Sequence, residues 1–414
     1  MRLNRRHFLA TSAAGIGALA MPGILRAQQG ETVRIGLITT LSGPGQLYGN
    51  YIKDGCEIAV ERLNAAGGVN GAKIELVVRD DKNSPEGAVT AFRELTGNGI
   101  KLFAQGTFTA NLLGTLPLLE EADVTMVMVG ASALALTHEA FNPRAFRLGF
   151  SSPMCFGGYG NLMAQKHPEI EKWAMLRSDV TALADITNAF SNGLKAGTEK
   201  AGRKVEVLDP VLVPYGGADF RNQISNIIGS GAPGLFNVLQ GADAISYYKQ
   251  ARTFSLDEKF KVLCDSANEF AIAKAMGANT PASLWSWTGW YPAANKDNAI
   301  SDEVHKAYIK LRGDEYPNWY IGVSHDSILT IANAVAKAGS LDAAKLVPTI
   351  EAETPQGALG KIHFRKEDHA FAGDLTYIRF GRDDKNANGW SVFETAQLPG
   401  AEFLERATPG SKLN

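Results

Sequence analysis

Val33-Arg34-Ile35-Gly36-Leu37-Ile38-Thr39-Thr40-Leu41-Ser42-Gly43-Pro44-Gly45-Gln46-Leu47-Tyr48-Gly49 is the stretch on which the fold class turns. Val33, Ile35 and Leu37 alternate and run into Thr/Ser/Gly/Pro turn chemistry, the pattern of a buried strand ending in a loop. Immediately downstream, Ile52, Cys56, Ala59, Val60 and Leu63 recur at helical spacing. Gly67-Gly68 stops that helix, because glycine takes the left-handed cap without strain.

Working outward, the same rhythm repeats. Residues 74–78 form a second strand closed by Asp80-Asp81. Ser84-Pro85 supplies an N-cap and a first-turn proline for a helix carrying Ala88, Phe92 and Leu95. Strand 102–104, helix 110–122 and strand 125–129 follow. After about residue 150 it restarts, with strands at 172–176, 204–213, 234–238 and 261–263 and helices at 183–200, 219–229, 242–253 and 267–276. Helices at 301–312, 324–338 and 343–350 and strand-like pieces at 360–364, 375–380 and 391–395 complete the chain. Strand–helix alternation at this spacing implies right-handed βαβ units and parallel sheets. Two sets imply an α/β chain of two doubly wound lobes.

Composition sets the function classes. The 414 residues are 45% hydrophobic and 20% charged, with 41 basic against 43 acidic residues and a net charge of −2. These are the proportions of a globular chain, with no basic excess to suggest a nucleic-acid partner. Cys56, Cys155 and Cys264 are too few and too scattered for a disulfide framework or a zinc site. Residues 1–27 read as an export signal: Arg2, Arg5 and Arg6 precede a short Ala/Gly/Leu stretch with no acid before Ala27. Arg5-Arg6 followed by Phe8-Leu9 is twin-arginine-like, and Leu25-Arg26-Ala27 is a cleavage site with a larger residue than usual at Leu25. Removal of the signal's four Arg leaves 37 basic against 43 acidic residues, a net charge near −6.

Catalytic motifs are missing from the sequence: no HExxH, GxSxG, P-loop or CxxC. Ser324-His325-Asp326 puts three triad residue types in a row, but helix neighbours point apart, so a relay is not expected. No cofactor, no metal and no catalytic residue is expected. Attention passes to the strand-to-helix turns, since in open α/β sheets ligands sit at the carboxyl ends of the strands, near helix N-termini. These turns carry 41–48, Gly106-Thr107-Phe108-Thr109, Gly130-Ala131-Ser132, 178–181 with Asp179 and Thr181, Gln240-Gly241-Ala242-Asp243 and Asp265-Ser266. Thr109, Ser132 and Ser266 either hold a carboxylate or amide or only cap their helices. Trp285, Trp287, Trp290 and Trp319, with Tyr291, Tyr316 and Tyr320, either wall a cleft for an apolar or ring-bearing ligand or pack the lobes together.

The opening stretch, continued through Gly55, Ala59-Val60 and Asn64-Ala65-Ala66-Gly67-Gly68-Val69-Asn70-Gly71, resembles the branched-chain amino-acid-type periplasmic binding proteins, the extracytoplasmic receptors of ABC importers. Glu75-Leu76-Val77-Val78-Arg79-Asp80-Asp81 resembles the family's second strand and acidic pair, and Leu359-Gly360-Lys361-Ile362-His363-Phe364 its late strand. The resemblance runs from about residue 31 to 395. It implies two lobes joined by three hinge crossings, with a ligand clamped between them. On it, 28–148 plus about 290–355 form the first lobe, 149–289 plus about 356–400 the second, and 401–414 a tail. It also implies a periplasmic monomer that serves ABC-transporter membrane subunits.

Carried onto matching positions, the resemblance places a ligand carboxylate at Thr107, Phe108 and Thr109, with further contacts from Gly130, Ala131 and Ser132 and a pocket wall at Tyr48. Departures lie in the second lobe. A Tyr-Gly pair is replaced around Asp179-Val180-Thr181, and the Glu that meets an α-ammonium is replaced by Asp265-Ser266, which leaves Asp265 or Asp179 to meet any ammonium. The implied ligand is a small amino acid or related carboxylate or amide, with an aromatic carboxylate as the alternative and a periplasmic ligand sensor as the alternative of another class.

Overall fold

The computed structural model describes residues 32–413 apart from Pro44, Thr181, Ala182 and Ala267, so the export signal and the expected site residue Thr181 lie outside the described residues. Five parallel strands, β1 (Val33–Thr39), β2 (Ile74–Asp80), β3 (Leu102–Gly106), β4 (Thr125–Val129) and β5 (Ala145–Leu148), form one sheet in the order β2-β1-β3-β4-β5. Val33, Ile35 and Leu37 of β1 face the core under α1 (Gln46–Ala65), where Ile52, Cys56 and Ala59 meet them. Ile38 faces the other way, onto Ala88, Phe92 and Leu95 of α2 (Pro85–Gly97). Burial on both faces explains why β1, β3 and β4 read as near-continuous apolar runs. Ser84 caps α2 by accepting from the Gly87 amide, as its place before Pro85 predicts.

The second sheet contains β6 (Lys172–Ser178), β7 (Glu206–Val207), β8 (Val211–Val213), β9 (Gly234–Val238), β10 (Val262–Asp265) and β11 (Leu284–Thr288) in parallel. The strands β14 (Leu375–Arg382) and β15 (Trp390–Leu398) extend it antiparallel at one edge. One face is covered by α4 (Ser152–Lys166) and α5 (Ala184–Lys200), with Phe190 stacked on Phe236 at 4.0 Å. The other is covered by α6 (Arg221–Gly229), α7 (Gly241–Arg252) and α9 (Phe270–Met276), with the short α8 (Leu256–Lys259) beside them. Neither β5 nor α4 stood out in the sequence. Helix α4 is apolar nearly all round because it is buried, so it lacks the one-sided stripe that marks a surface helix. It packs unusually close to α5: a Cβ at Gly193 would run into the carbonyl of Gly157.

After β11 the chain returns to the first sheet as α10 (Ala299–Arg312), α11 (Tyr320–Ala338) and α12 (Ala343–Ala352), with α11 lying along α1 and β4. Four boundaries differ from expectation for local reasons. The 110–122 helix is α3 (Thr109–Thr115) followed by a 3₁₀ turn at Leu116–Leu118, because Pro117 has no amide to continue it. The 204–213 strand splits into β7 and β8 around Pro210, which cannot donate to a ladder. Helix α11 starts at Tyr320, four residues before Ser324, since Asn318 accepts from the Tyr320 amide.

The fourth is the return near residue 356. The hairpin of β12 (Gln356–Gly357) and β13 (Gly360–Lys361) stays with α11, whose Asp326 accepts from the amides of Ala358 and Leu359 at 2.8 Å each. Ile362 and Phe364 then enter the core, and His369 and Phe371 pair with Arg147 at the β5 edge. The chain leaves the first sheet only after Phe371.

Candidate functional site

The order β2-β1-β3-β4-β5 puts a topological switch point between β1 and β3, the place where α/β sheets bind ligands. The acidic pair after β2 secures it. Asp80 accepts from the Leu41 and Lys82 amides and the Ser42 hydroxyl, and Asp81 from the Thr40 hydroxyl, the Asn83 amide and Asn111 of α3. Burial pushes the Asp80 carboxyl up, but the Ser42 hydroxyl and the loop amides outweigh it and hold the group below its ordinary value.

Thr107 sits in the next turn with φ of +111°, a backbone conformation that costs a non-glycine residue about 1–3 kcal/mol. Its hydroxyl is 3.0 Å from that of Thr39 and accepts from the Thr40 amide at 3.3 Å. The Thr107 side chain therefore braces the switch point. Phe108 is exposed and lies against Gly45 of the opening loop, where a Cβ would strike its ring. Thr109 is half-buried as the first residue of α3.

Gly130, at φ of +68°, follows β4 and faces the rings of Tyr320 and Trp319, which leave no room for a Cβ. Ala131 is buried, and Ser132 is half-buried with its carbonyl taking the Ser152 amide. Tyr48 lies 5.9 Å from Tyr320, and Tyr320 stacks on Trp319 at 4.3 Å. Trp319 in turn meets Trp287 and Phe150 edge-on. This is an aromatic wall, and it excludes two of the four tryptophans. Trp285 sits beneath Lys166 and Arg379, and Trp290 is buried with its indole N–H donating to Ser301.

On the facing lobe, Asp265 does not present an open carboxylate. It is fully buried, and both oxygens accept from Asn268. Asn268 also takes the Gly241 amide, so 265–268 and Gly241 form one braced loop. Ser266 is buried, and its hydroxyl has no partner among the described residues. Asp179 and Gln240 are exposed at the ends of β6 and β9, Gln240 as the cap of α7.

The carboxylate that reaches the aromatic wall is Glu269, which sequence reasoning missed. It is 1% exposed at the cap of α9, with φ of +44° and ψ of −123°. One oxygen accepts from the Thr288 hydroxyl at 2.8 Å and the other from Asn318 at 3.1 Å. Burial pushes its carboxyl up to about 8, against the pull of Thr288, Lys274 and the Trp319 amide and with the push of Asp265. Its charge bears in turn on the hydroxyls of Tyr48, Tyr51 and Tyr320, each raised first by burial. The signal available in the sequence was one acid beside Phe270 at the start of a helix pattern. It lies four residues beyond the strand end where an acid was sought.

The Ser324-His325-Asp326 row forms one contact that neighbour geometry argued against. His325 Nδ1 is 2.7 Å from Asp326, while Arg62 donates to Nε2. Nε2 is thereby the acceptor and Nδ1 carries the proton. The Ser324 hydroxyl is buried and without a partner among the described residues, so no nucleophile is activated.

A family model described as periplasmic binding protein matches residues 32–385. The leucine-, isoleucine-, valine-, threonine- and alanine-binding protein of Pseudomonas aeruginosa is 24% identical over 378 residues, covering 91% of this chain and 96% of that protein. Among solved structures, an ABC transporter substrate-binding protein from Sphaerobacter thermophilus superposes with a TM-score of 0.78 at 23% identity, covering 89% of this chain and 98% of the other. A solute-binding protein of an ABC transporter from Rhodopseudomonas palustris, solved in complex with 3,4-dihydroxybenzoic acid, gives 0.75 at 20% identity, covering 89% and 98%.

Proposed function

The chain belongs to the periplasmic binding protein family, and from that premise we propose that it is an exported receptor that closes its lobes on a small α-amino acid and delivers it to the membrane subunits of an ABC importer. The observation that carries the ligand class is Glu269. A carboxyl group so deeply buried is costly to ionise unless an opposite charge arrives, and an ammonium group brings one. Glu269 thus takes the role expected of Asp265 or Asp179. The hydroxyl and amide groups around 107–109 and 130–132 suit the acid end, and Tyr48, Tyr320 and Trp319 the apolar body. No helix among the described residues is long and apolar enough to cross a membrane, which fits a periplasmic location.

An aromatic carboxylate is the second reading, favoured by the Tyr48–Tyr320–Trp319–Trp287 wall. Protonated Glu269 would then donate to the ligand. Calorimetry at pH 6.5 in buffers of different ionisation enthalpy separates the two, using leucine and 3,4-dihydroxybenzoate as probes. Binding an ammonium ionises Glu269 and releases close to one proton, whereas an acid without an amine releases none. A chain stripped by unfolding and refolding that binds no amino acid, aromatic acid or amide would refute the receptor reading.

A further inference from the structure

Residues 401–414 were expected to be a tail, yet those of them that are described return to the first lobe and pack there. We infer that residues 399–411 form a strap that restrains lobe movement, with Glu405 as a positioning residue for the 130–132 turn of the cleft.

The strap leaves the second sheet at the end of β15. At Gly400 it passes so close to the Gly373 carbonyl and to Met154 that no Cβ would fit. Phe403 and Leu404 pack on the main core, Phe403 against Gly158 of α4. Glu405 then enters a pocket of buried polar groups. One carboxylate oxygen accepts from Arg147 of β5 at 3.2 Å and lies 3.7 Å from His138, and the other accepts from Ser151 at 2.6 Å. The Glu405 carbonyl accepts from Arg365. Further on, Thr408 pairs with the His138 ring at 2.6 Å and the Gly410 amide donates to the His138 carbonyl at 2.7 Å.

Two consequences follow from what these partners are. Arg147 ends the first sheet and Ser151 caps α4 of the second lobe, so one carboxylate ties both ends of the first hinge crossing. Arg147 also donates to the Ala133 carbonyl at 3.4 Å, and Ser152 to that of Ser132. The carboxylate thereby supports the turn that presents Gly130 to Tyr320. Hinge motion rotates a few residues at each crossing, and bonds that span a crossing bias the angle it adopts. The strap is a fourth connection beside the three crossings.

This inference goes beyond the receptor reading, and its test needs no ligand, so the two fail separately. Spin labels on introduced cysteines at Glu121→Cys and Lys259→Cys, both exposed positions on opposite lobes, report the interlobe distance; Cys56, Cys155 and Cys264 are buried. Glu405→Ala and the milder Glu405→Gln should broaden that distance distribution and speed exchange of the Gly130 and Ser152 amides, which donate to the Leu148 and Ser132 carbonyls, about tenfold or more. Ile224→Val, in the core on the far face of the second sheet, serves as a control for lost stability and should change neither. If either Glu405 variant folds with both readouts unchanged, the inference is overturned. Should both fail to fold, Thr408→Val cuts the bond to His138 and the one to the Ser411 carbonyl within the strap, and must move both readouts in the same direction. No movement refutes the strap's role.

Discussion

Replacing Glu269 by Gln removes a carboxyl that burial pushes up to about 8 while leaving its shape and hydrogen bonds nearly intact. In the unfolded chain the same group titrates near 4.5. Between those values the folded protein holds a proton that the unfolded chain has lost. Stability from this site is therefore fully present below the unfolded value and drains away as pH rises towards 8. The loss is about 1.4 kcal/mol per pH unit at most, or about 2.5 kcal/mol from pH 5.5 to 7.5. For a chain of this length that corresponds to roughly 3–5 °C. Thermal unfolding of ligand-free wild type and Glu269→Gln across this range isolates the group, because every other titration is shared. The gap between the two should widen in the variant's favour by several degrees from pH 5.5 to pH 7.5. Parallel curves would mean that Glu269 is ionised in the folded cleft, and the ligand argument built on it would fall.

Other substitutions test other parts of the molecule. Asp326→Ala strands the buried amides of Ala358 and Leu359 and the His325 proton, and should cost about 3–5 kcal/mol by denaturant unfolding, whereas Ser324→Ala should stay within about 1 kcal/mol. Gly130→Ala combines a positive φ with a clash against Tyr320, and ligand-induced thermal shifts should disappear in a chain that still shows cooperative unfolding. Gly193→Ala drives α5 off α4 at the Gly157 carbonyl and should lower the free energy of unfolding by about 2 kcal/mol or more, read by denaturant unfolding, without changing the proton release on ligand binding.

Most of the fold is written locally. The alternation of Val33, Ile35 and Leu37, the glycine stop at Gly67-Gly68 and the Ser84-Pro85 cap each act over a few residues, so the sequence by itself determined the βαβ rhythm, the two sets of elements and the candidate turns. The motifs of the opening stretch added the family. Tertiary structure decided what those turns hold. Thr107 and Asp265 carry the right chemistry in the right loops, but Thr39, Thr40 and Asn268 engage them, and such partners 67, 68 or three residues away cannot be read from composition. Glu269 gained its place through Thr288 and Asn318, which meet it only because the second crossing passes there. Glu405 likewise became a structural residue through Arg147 and Ser151, more than 250 positions earlier. Periodicity records which face of an element is buried. Which polar group pairs with which is settled by distances between segments that only the folded chain brings together.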